Sequence, residues 1–426
     1  MSARDTALAV LIACRKSGAW SDSALKAYIA RDGLDRRDAA FATRLCFGVI
    51  QNRRLLDFYI ASFLSGKLKS LQPIVLDILR LGAYQIAFMD RVPSSAAVNE
   101  AVNQTKRFAN LRAAGLVNGV LRAMSRAEAL PEPKELSVRY SHSPELIARL
   151  RENVGDALLE PLLKSHNEVP PTTVQVNTLR AETEEVRQAL QAEKHPWLAD
   201  CLQMESGNLE ALAPFARGEI YAQDAASKLA VLAAELRPGM RVLDCCAAPG
   251  GKSFAAAISM RNEGEILACD LHAGKLRRVA EGAARMGLFI IQTQPRDARA
   301  YIAEECERYD AVLCDAPCSG LGVIRKKPDI REKALDQIAA LPKIQLEILQ
   351  TVSRYLKPGG TLIYSTCTIL KRENEELVQS FLQGSEDFSL QPFAYGEINA
   401  PSGMLTLLPC VHGTDGFFIA KLRKNV

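Results

Sequence analysis

Hydrophobic residues recur with a helical period through the first part of the chain. Apolar side chains lie three and four positions apart, for example over 40–50, which predicts amphipathic helices. Pro73 suits the first turn of a further helix, and Ser94 and Ser95 are candidate N-caps of another. A pair of prolines ends this pattern, so we predict an all-α domain over residues 1–130.

The pattern becomes mixed over residues 131–221. A helix is predicted at 144–150, a strand at 172–177 and a second helix at 184–192. This segment should therefore form a small α+β connecting domain.

Short apolar runs alternate with amphipathic helices over residues 222–426. This rhythm is typical of βαβ units and predicts a C-terminal α/β Rossmann-like domain with a mostly parallel, doubly wound sheet. Together with the two preceding domains, this makes the predicted fold class multidomain. The predicted strands are 241–245, 265–270, 309–315 and 361–365.

The composition is that of an ordinary soluble globular protein. Hydrophobic residues make up 48% and charged residues 24% of 426 residues. The most apolar stretch, 74–89, contains Asp77 and Arg80, so we expect a buried helix rather than a membrane span. No secretory signal is visible at the N-terminus. The chain is therefore expected to be cytoplasmic, with no membrane partner.

The eleven cysteines are scattered along the chain. Their odd number and the lack of framework spacing predict reduced thiols. Cys314 and Cys318 are four positions apart, but no second pair has the spacing that zinc ligands show. We therefore expect no metal site.

Positive charge is concentrated in the first domain. Residues 1–130 carry 19 Lys and Arg against 10 Asp and Glu, a net charge of +9, and the remainder carries 34 against 39, a net charge of −5. This asymmetry favours contact with a polyanion, although a solvated surface has the same composition.

Acidic residues and glycines follow the predicted strands. The first strand runs into a turn with the paired Gly250 and Gly251, which permit close backbone approach to a ligand. Asp270 ends the second strand, where an acid in doubly wound folds binds ribose hydroxyls, and Asp297 and Asp315 follow the next two. These strand ends meet at one sheet edge and predict a site for a nucleoside-like ligand.

Two cysteines, Cys318 and Cys367, lie just past neighbouring strands at the same edge. A free cysteine is most often a small buried hydrophobe, which is the alternative for each. Cys201 and Cys410 lack this placement, and the core interpretation is kept for them.

Three strings together resemble the RNA cytosine-C5 methyltransferase family: DCCAAPGGK at 244–252, DAPCSG at 315–320 and STCT at 365–368. The doubled cysteine at 245–246 departs mildly from the family, in which an aliphatic residue is more familiar before the loop cysteine. Residues 322–331 and 415–422 are similar to the bacterial Fmu/Sun branch, which acts on 16S ribosomal RNA.

The same branch has an N-terminal domain similar to the antitermination factor NusB. The chain carries RVPSSAAVNEAV at 91–102 and VNGVL at 117–121 in matching order. The resemblance therefore covers nearly the whole chain and implies a NusB-like RNA-binding domain.

The resemblance also implies a role for each site residue. Cys367 would be the nucleophile, and Cys318 would assist release of the methylated product. Asp315 would contact the cofactor, the cytosine edge, or both. The residues that would bind S-adenosylmethionine are Cys246, Ala247, Ala248, Pro249, Gly250, Gly251, Lys252, Asp270, Asp297 and Asp315.

Cytosine C5 is a poor nucleophile, and addition of a thiolate to C6 activates it. A helix N-terminus or a cation near Cys367 is therefore expected, and helix-forming residues 371–376 follow it. RNA would have to present an unstacked base. The first domain and the basic tripeptide 325–327 are candidates for phosphate contacts, and a solvated surface loop is the alternative for the tripeptide.

Three alternatives remain open at this point. The same chemistry could act on transfer RNA or another ribosomal RNA, and the NusB-like domain favours the 16S substrate. A non-catalytic RNA-binding assembly factor would have no use for both cysteines. A small-molecule methyltransferase would leave the basic domain unexplained.

Overall fold

The structure is a computed structural model that describes residues 1–205, 207–332 and 335–426. The chain forms two compact units. The first holds Met1–Asn167 and the described part of Lys327–Lys333, and the second holds the other described residues. The domain boundaries at 130/131 and 221/222 stay predictions.

The first unit is all-helical in its described residues, which confirms the predicted fold class of the N-terminal domain. Short 3-10 helices lie at Leu68–Ser70 and Pro328–Glu332. The α-helices are α1 (Ala3–Ser17), α2 (Ser21–Asp32), α3 (Arg36–Gln51), α4 (Arg53–Phe63), α5 (Pro73–Phe88), α6 (Ser94–Phe108), α7 (Leu111–Arg126), α8 (Leu136–Arg139), α9 (Pro144–Val154) and α10 (Asp156–Ser165).

Helix α5 lies at the centre of this unit. Pro73 occupies its first turn, as predicted, and Ile78 and Leu79 are fully buried. Arg80 within it is paired with Asp57 at 2.7 Å and with Asp77 at 3.1 Å. The two carboxylates balance the charge of the buried Arg80 guanidinium, so its burial leaves no unpaired charge in the core.

The N-cap prediction for α6 is wrong. The helix begins at Ser94, and its N-cap is Pro93, so neither Ser94 nor Ser95 holds the capping position. A proline with extended backbone geometry directs the chain into the helix here.

The second unit begins with a small antiparallel sheet in the order β2-β3-β1-β4. This α+β arrangement confirms the predicted small connecting domain. Its elements are β1 (Thr172–Val176), α11 (Thr183–Leu190), β2 (Glu193–Lys194), β3 (Cys201–Met204), α12 (Ala213–Ala216) and β4 (Ile220–Ala222).

A larger sheet of eight strands follows. Short 3-10 helices in this unit lie at Leu209–Ala211, Ala303–Glu305, Leu335–Ile338 and Lys371–Glu373. The other elements are α13 (Ala225–Ala233), β5 (Arg241–Asp244), α14 (Gly251–Ser259), β6 (Glu265–Asp270), α15 (Ala273–Met286), β7 (Ile291–Pro295), β8 (Tyr309–Asp315), α16 (Leu341–Ser353), β9 (Leu356–Thr366), α17 (Glu375–Gln383), β10 (Phe388–Leu390), β11 (Phe393–Tyr395), β12 (Ile398–Ala400), β13 (Met404–Leu407), α18 (Pro409–His412) and β14 (Phe417–Lys424).

The strand order of the large sheet is β10-β14-β9-β8-β5-β6-β7, and β13 pairs with β14. The five strands from β9 to β7 are parallel, whereas β10, β13 and β14 pair antiparallel. The predicted doubly wound, mostly parallel sheet is therefore confirmed. The chain adds β6 and β7 on one side of β5 and then returns to add β8 and β9 on the other. Such a switch point opens a crevice at the carboxyl ends of the strands.

Among the described residues, no helix has both the length and the apolar character that a membrane crossing requires.

Candidate active site

The predicted site residues lie at the carboxyl edge of the parallel strands. Asp244, Asp270 and Asp315 are the last residues of β5, β6 and β8. Asp297 lies two residues after β7, and Cys367 directly follows β9. The strand-by-strand spacing in the sequence therefore places these side chains along one edge of the sheet.

The turn between β5 and α14 requires a glycine at position 250. Gly250 has a φ of +113°, and a Cβ atom there would overlap the Phe254 ring. The Gln223 side chain faces Gly251, and its Oε1 atom is buried without a hydrogen-bond partner among the described residues. This buried acceptor was not predicted from the sequence. The residues predicted for this turn are Cys246, Ala247, Ala248, Pro249, Gly250, Gly251 and Lys252, and all lie between β5 and the first turn of α14.

Lys252 and Asp315, both predicted as cofactor contacts, form an ion pair of 2.7 Å. The Lys252 ammonium also donates to Ser227 Oγ at 2.9 Å and lies 5.0 Å from the centre of the Phe417 ring. Ser365 Oγ donates to the second oxygen of Asp315 at 2.9 Å. Both carboxylate oxygens of Asp315 therefore have a partner, and the positive charge of Lys252 lies next to one of them.

The other two acids differ in their partners. Asp270 Oδ1 accepts from the backbone N–H of His272 at 3.0 Å. Asp297 forms an ion pair of 2.7 Å with Arg299, and the hydrogen bond from this side chain lowers the pKa of Asp297. Both acids stand at strand ends, and their contact with a ligand stays a prediction.

The structure brings the two predicted cysteines together. Cys318 Sγ lies 3.2 Å from Cys367 Sγ, and both residues are partly exposed. The hydrogen bond with Cys367 and then burial raise the pKa of Cys318 well above its usual range. Cys318 is therefore expected to keep its proton, and either sulfur can donate the hydrogen bond between them.

Neither cysteine of the doubled pair, Cys245 and Cys246, lies in surroundings that favour a thiolate. The hydrogen bond with Cys245 and then burial raise the pKa of Cys246 well above its usual range. Cys245 itself is buried. Because the thiolate is the reactive form, neither side chain has the character of an activated sulfur.

The segment after Cys367 differs from the single helix predicted over 371–376. A 3-10 helix, Lys371–Glu373, comes first, and α17 begins at Glu375. Glu373 is fully buried, and its charge contributes to the raised pKa of Cys318. A buried carboxylate beside the loop of Cys318 was not predicted from the sequence.

Two of the three basic residues at 325–327 are engaged within the chain. Arg325 pairs with Asp415 at 3.1 Å, and its side chain is only 7% exposed. Lys326 pairs with Asp415 at 2.7 Å and with Asp224 at 3.0 Å. Arg325 is therefore a poor candidate for binding an RNA phosphate.

Asp244 is fully buried at the end of β5, and burial raises its pKa to about 6 although Ser253 Oγ donates to it at 2.6 Å. Between the ordinary pKa of about 3.9 and this value, the folded chain holds a proton that the unfolded chain has lost. The free energy of unfolding therefore falls as the pH rises through this window, by about 2 to 3 kcal/mol.

We expect Asp244→Asn to remove this loss, because the amide stays neutral. Without ligands, the variant should gain melting temperature relative to the wild type as the pH rises from about 5 to about 7.5. Thermal unfolding at several pH values measures this, and a difference that does not change with pH would contradict it.

In the described part of the chain, no group of three or more His, Cys, Asp or Glu side chains is arranged to hold a metal ion.

Comparison with known proteins identifies the class. Residues 231–423 match the family model for 16S rRNA methyltransferase RsmB/F, residues 1–126 match the NusB family, and residues 142–208 match the ferredoxin-like domain of RsmF/B-like methyltransferases. A methyltransferase homologue from Pyrococcus horikoshii has 29% identity and a TM-score of 0.59, over 68% of this chain and 97% of its own. The fold is thus that of a Rossmann-like methyltransferase.

Two similar proteins match nearly the whole chain. It is 36% identical to the probable ribosomal RNA small subunit methyltransferase B of Bacillus subtilis, over 100% of this chain and 99% of the relative. The crystal structure of PH0851 matches 98% of this chain and 97% of its own, with a TM-score of 0.81 and 28% identity. The chain belongs to the ribosomal RNA small subunit methyltransferase B family, and the family resemblance and the NusB-like domain expected from the sequence are confirmed.

Proposed function

We propose that the protein transfers a methyl group from S-adenosylmethionine to C5 of a specific cytosine in 16S ribosomal RNA, through a covalent bond between Cys367 and the base. The observation that carries this proposal is the thiol pair, with 3.2 Å between the two sulfurs at the carboxyl edge of the sheet. A scaffold protein would not require two thiols there, and the ion-paired Asp315 beside them is a polar group suited to a flipped base.

The residues of the edge fit S-adenosylmethionine. Helix α14 begins at Gly251, so its first backbone N–H groups follow the end of β5 closely. Gln223 offers a buried acceptor that has no partner among the described residues. We propose that the turn from Cys246 to Lys252, with Asp270, Asp297 and Asp315, holds this cofactor. When bound, it supplies an electrophilic methyl group on a sulfonium sulfur.

Cys367 supplies the nucleophile in this proposal. Its sulfur anion adds an electron pair to C6 of the cytosine, and the electrons of the C5–C6 double bond make C5 nucleophilic. Once C5 carries the methyl group, the proton on C5 passes to water, and the C5–C6 double bond forms again. The bond between C6 and sulfur breaks, and its electron pair returns to Cys367.

Cys318 would act in the last part of this sequence. Since it keeps its proton, its S–H group can donate to the Cys367 sulfur. A hydrogen bond to a sulfur anion stabilises it as a leaving group, so the thiol of Cys318 would promote release of the methylated RNA.

The choice of 16S RNA rests on the family and on charge. The B. subtilis relative is described as a probable ribosomal RNA small subunit methyltransferase. The first 130 residues carry a net charge of +9, which suits contact with an RNA backbone.

Bisulfite sequencing of RNA from cells with and without the gene tests this function. We expect one cytosine of 16S RNA to resist conversion only when the protein is present. A change confined to transfer RNA would contradict the substrate, and unchanged conversion in every RNA would contradict C5 methylation.

A further inference from the structure

Two consecutive residues before α17 contact the loops of both cysteines. Glu373 and Asn374 are fully buried, although both have polar side chains. Burial of such groups is unfavourable unless hydrogen bonds replace water, so their partners indicate why they are inside.

Glu373 acts on the loop that carries Cys318. Its Oε2 atom accepts from the backbone N–H of Ser319 at 2.9 Å and from Gln345 Nε2 at 2.9 Å. The same Gln345 nitrogen donates to the carbonyl oxygen of Pro317 at 2.9 Å. The backbone is therefore held on both sides of Cys318.

Asn374 acts in the same way on the loop that carries Cys367. Its Oδ1 atom accepts from Thr366 Oγ1 at 2.6 Å, and its Nδ2 atom donates to the carbonyl oxygen of Thr368 at 3.0 Å. The residues on both sides of Cys367 are therefore held.

The two loops are also joined to each other. Ser319 Oγ and Thr368 Oγ1 share a hydrogen bond of 2.7 Å between buried atoms. The cysteines are 49 positions apart in the sequence, so their sulfur distance depends on contacts of this kind.

We propose that Glu373 and Asn374 form a thiol clamp, in which Glu373 positions Cys318 and Asn374 positions Cys367. This inference rests on the proposed function. Both are positioning residues, since their side chains contact the flanks of the cysteine loops. Asn374 should therefore affect formation of the covalent adduct, and Glu373 should affect its release.

The test measures formation and release of the covalent adduct separately. A 16S RNA transcript with 5-fluorocytidine cannot lose a C5 proton after methylation, so it reports formation alone. An ordinary transcript reports release, because a slow release step accumulates adduct on a denaturing gel. S-adenosylmethionine is present in both assays, and binding of S-adenosylhomocysteine serves as the measure of correct folding.

We expect Asn374→Ala to form adduct with the 5-fluorocytidine transcript on the order of 10²-fold more slowly, since small misplacements of a reacting group have effects of this size. Glu373→Ala should form adduct at nearly the wild-type rate and accumulate it on the ordinary transcript. Glu373→Gln retains an oxygen that can accept both hydrogen bonds, so it should restore release to within about tenfold of the wild type. The exposed Glu376→Ala is the matched control and should behave as the wild type.

Equal loss of formation and release in both alanine variants, in step with loss of S-adenosylhomocysteine binding, would overturn the clamp and leave only a structural role. Glu373→Gln that is as impaired as Glu373→Ala would overturn positioning by hydrogen bonds. Absence of any adduct in the wild-type protein on the 5-fluorocytidine transcript would instead contradict the proposed function itself.

Discussion

Replacement of Cys367 by alanine is expected to abolish methyl transfer to RNA while S-adenosylmethionine still binds. Cys367 directly follows β9 and is partly exposed, at the sheet edge where the turn from Cys246 to Lys252 lies. Without it, no bond to C6 can form, and C5 remains a poor nucleophile. The loss should be on the order of 10⁴-fold or more, the size seen when a covalent nucleophile is removed.

Transfer of a radioactive methyl group to 16S RNA measures this loss, and calorimetric titration measures cofactor affinity. Cys306→Ala is a matched control, because Cys306 is an exposed thiol before the amino end of β8. Methyl transfer at more than about a tenth of the wild-type rate in Cys367→Ala would contradict the nucleophile assignment.

Replacement of Cys318 by alanine is expected to trap the RNA on the protein. The variant keeps the nucleophile but loses the S–H group 3.2 Å from it, so the sulfur anion becomes a poorer leaving group. Turnover should fall on the order of 10²-fold or more, since positioned proton donors contribute that much. The first methyl transfer should still occur once per protein molecule.

A denaturing gel measures this outcome as a slowly migrating protein–RNA band that requires S-adenosylmethionine. The double variant Cys318→Ala with Cys367→Ala should give no such band. Normal release of RNA by Cys318→Ala, with no band, would show that the two cysteines do not divide the reaction as proposed.

Much of the catalytic fold could be predicted from the sequence. The predicted strands 265–270 and 309–315 coincide with β6 and β8, because each is an apolar run with charged or polar ends. The hairpin of β11 and β12 was not predicted. Its strands have three residues each, which is too short for a period to appear.

The sequence indicated which residues share the sheet edge but not how they pair. Strand ends predict Lys252 and Asp315 at one edge, whereas their ion pair depends on side-chain packing across two strands. The position of Glu373 could not be predicted for the same reason, since its partner Gln345 is 28 positions away in α16. The burial of Arg325 could not be predicted either, since its partner Asp415 is 90 positions away.

The proposed mechanism depends on one bond, between the sulfur of Cys367 and C6 of a cytosine. Mass spectrometry of the trapped Cys318→Ala adduct, after digestion with trypsin and nuclease, tests it most directly. Residues 355–371 form a tryptic peptide with Cys367 as its single cysteine. We expect the mass of a methylated cytidine nucleotide on this peptide, and its presence on another cysteine peptide, with residues 355–371 unmodified, would contradict the mechanism.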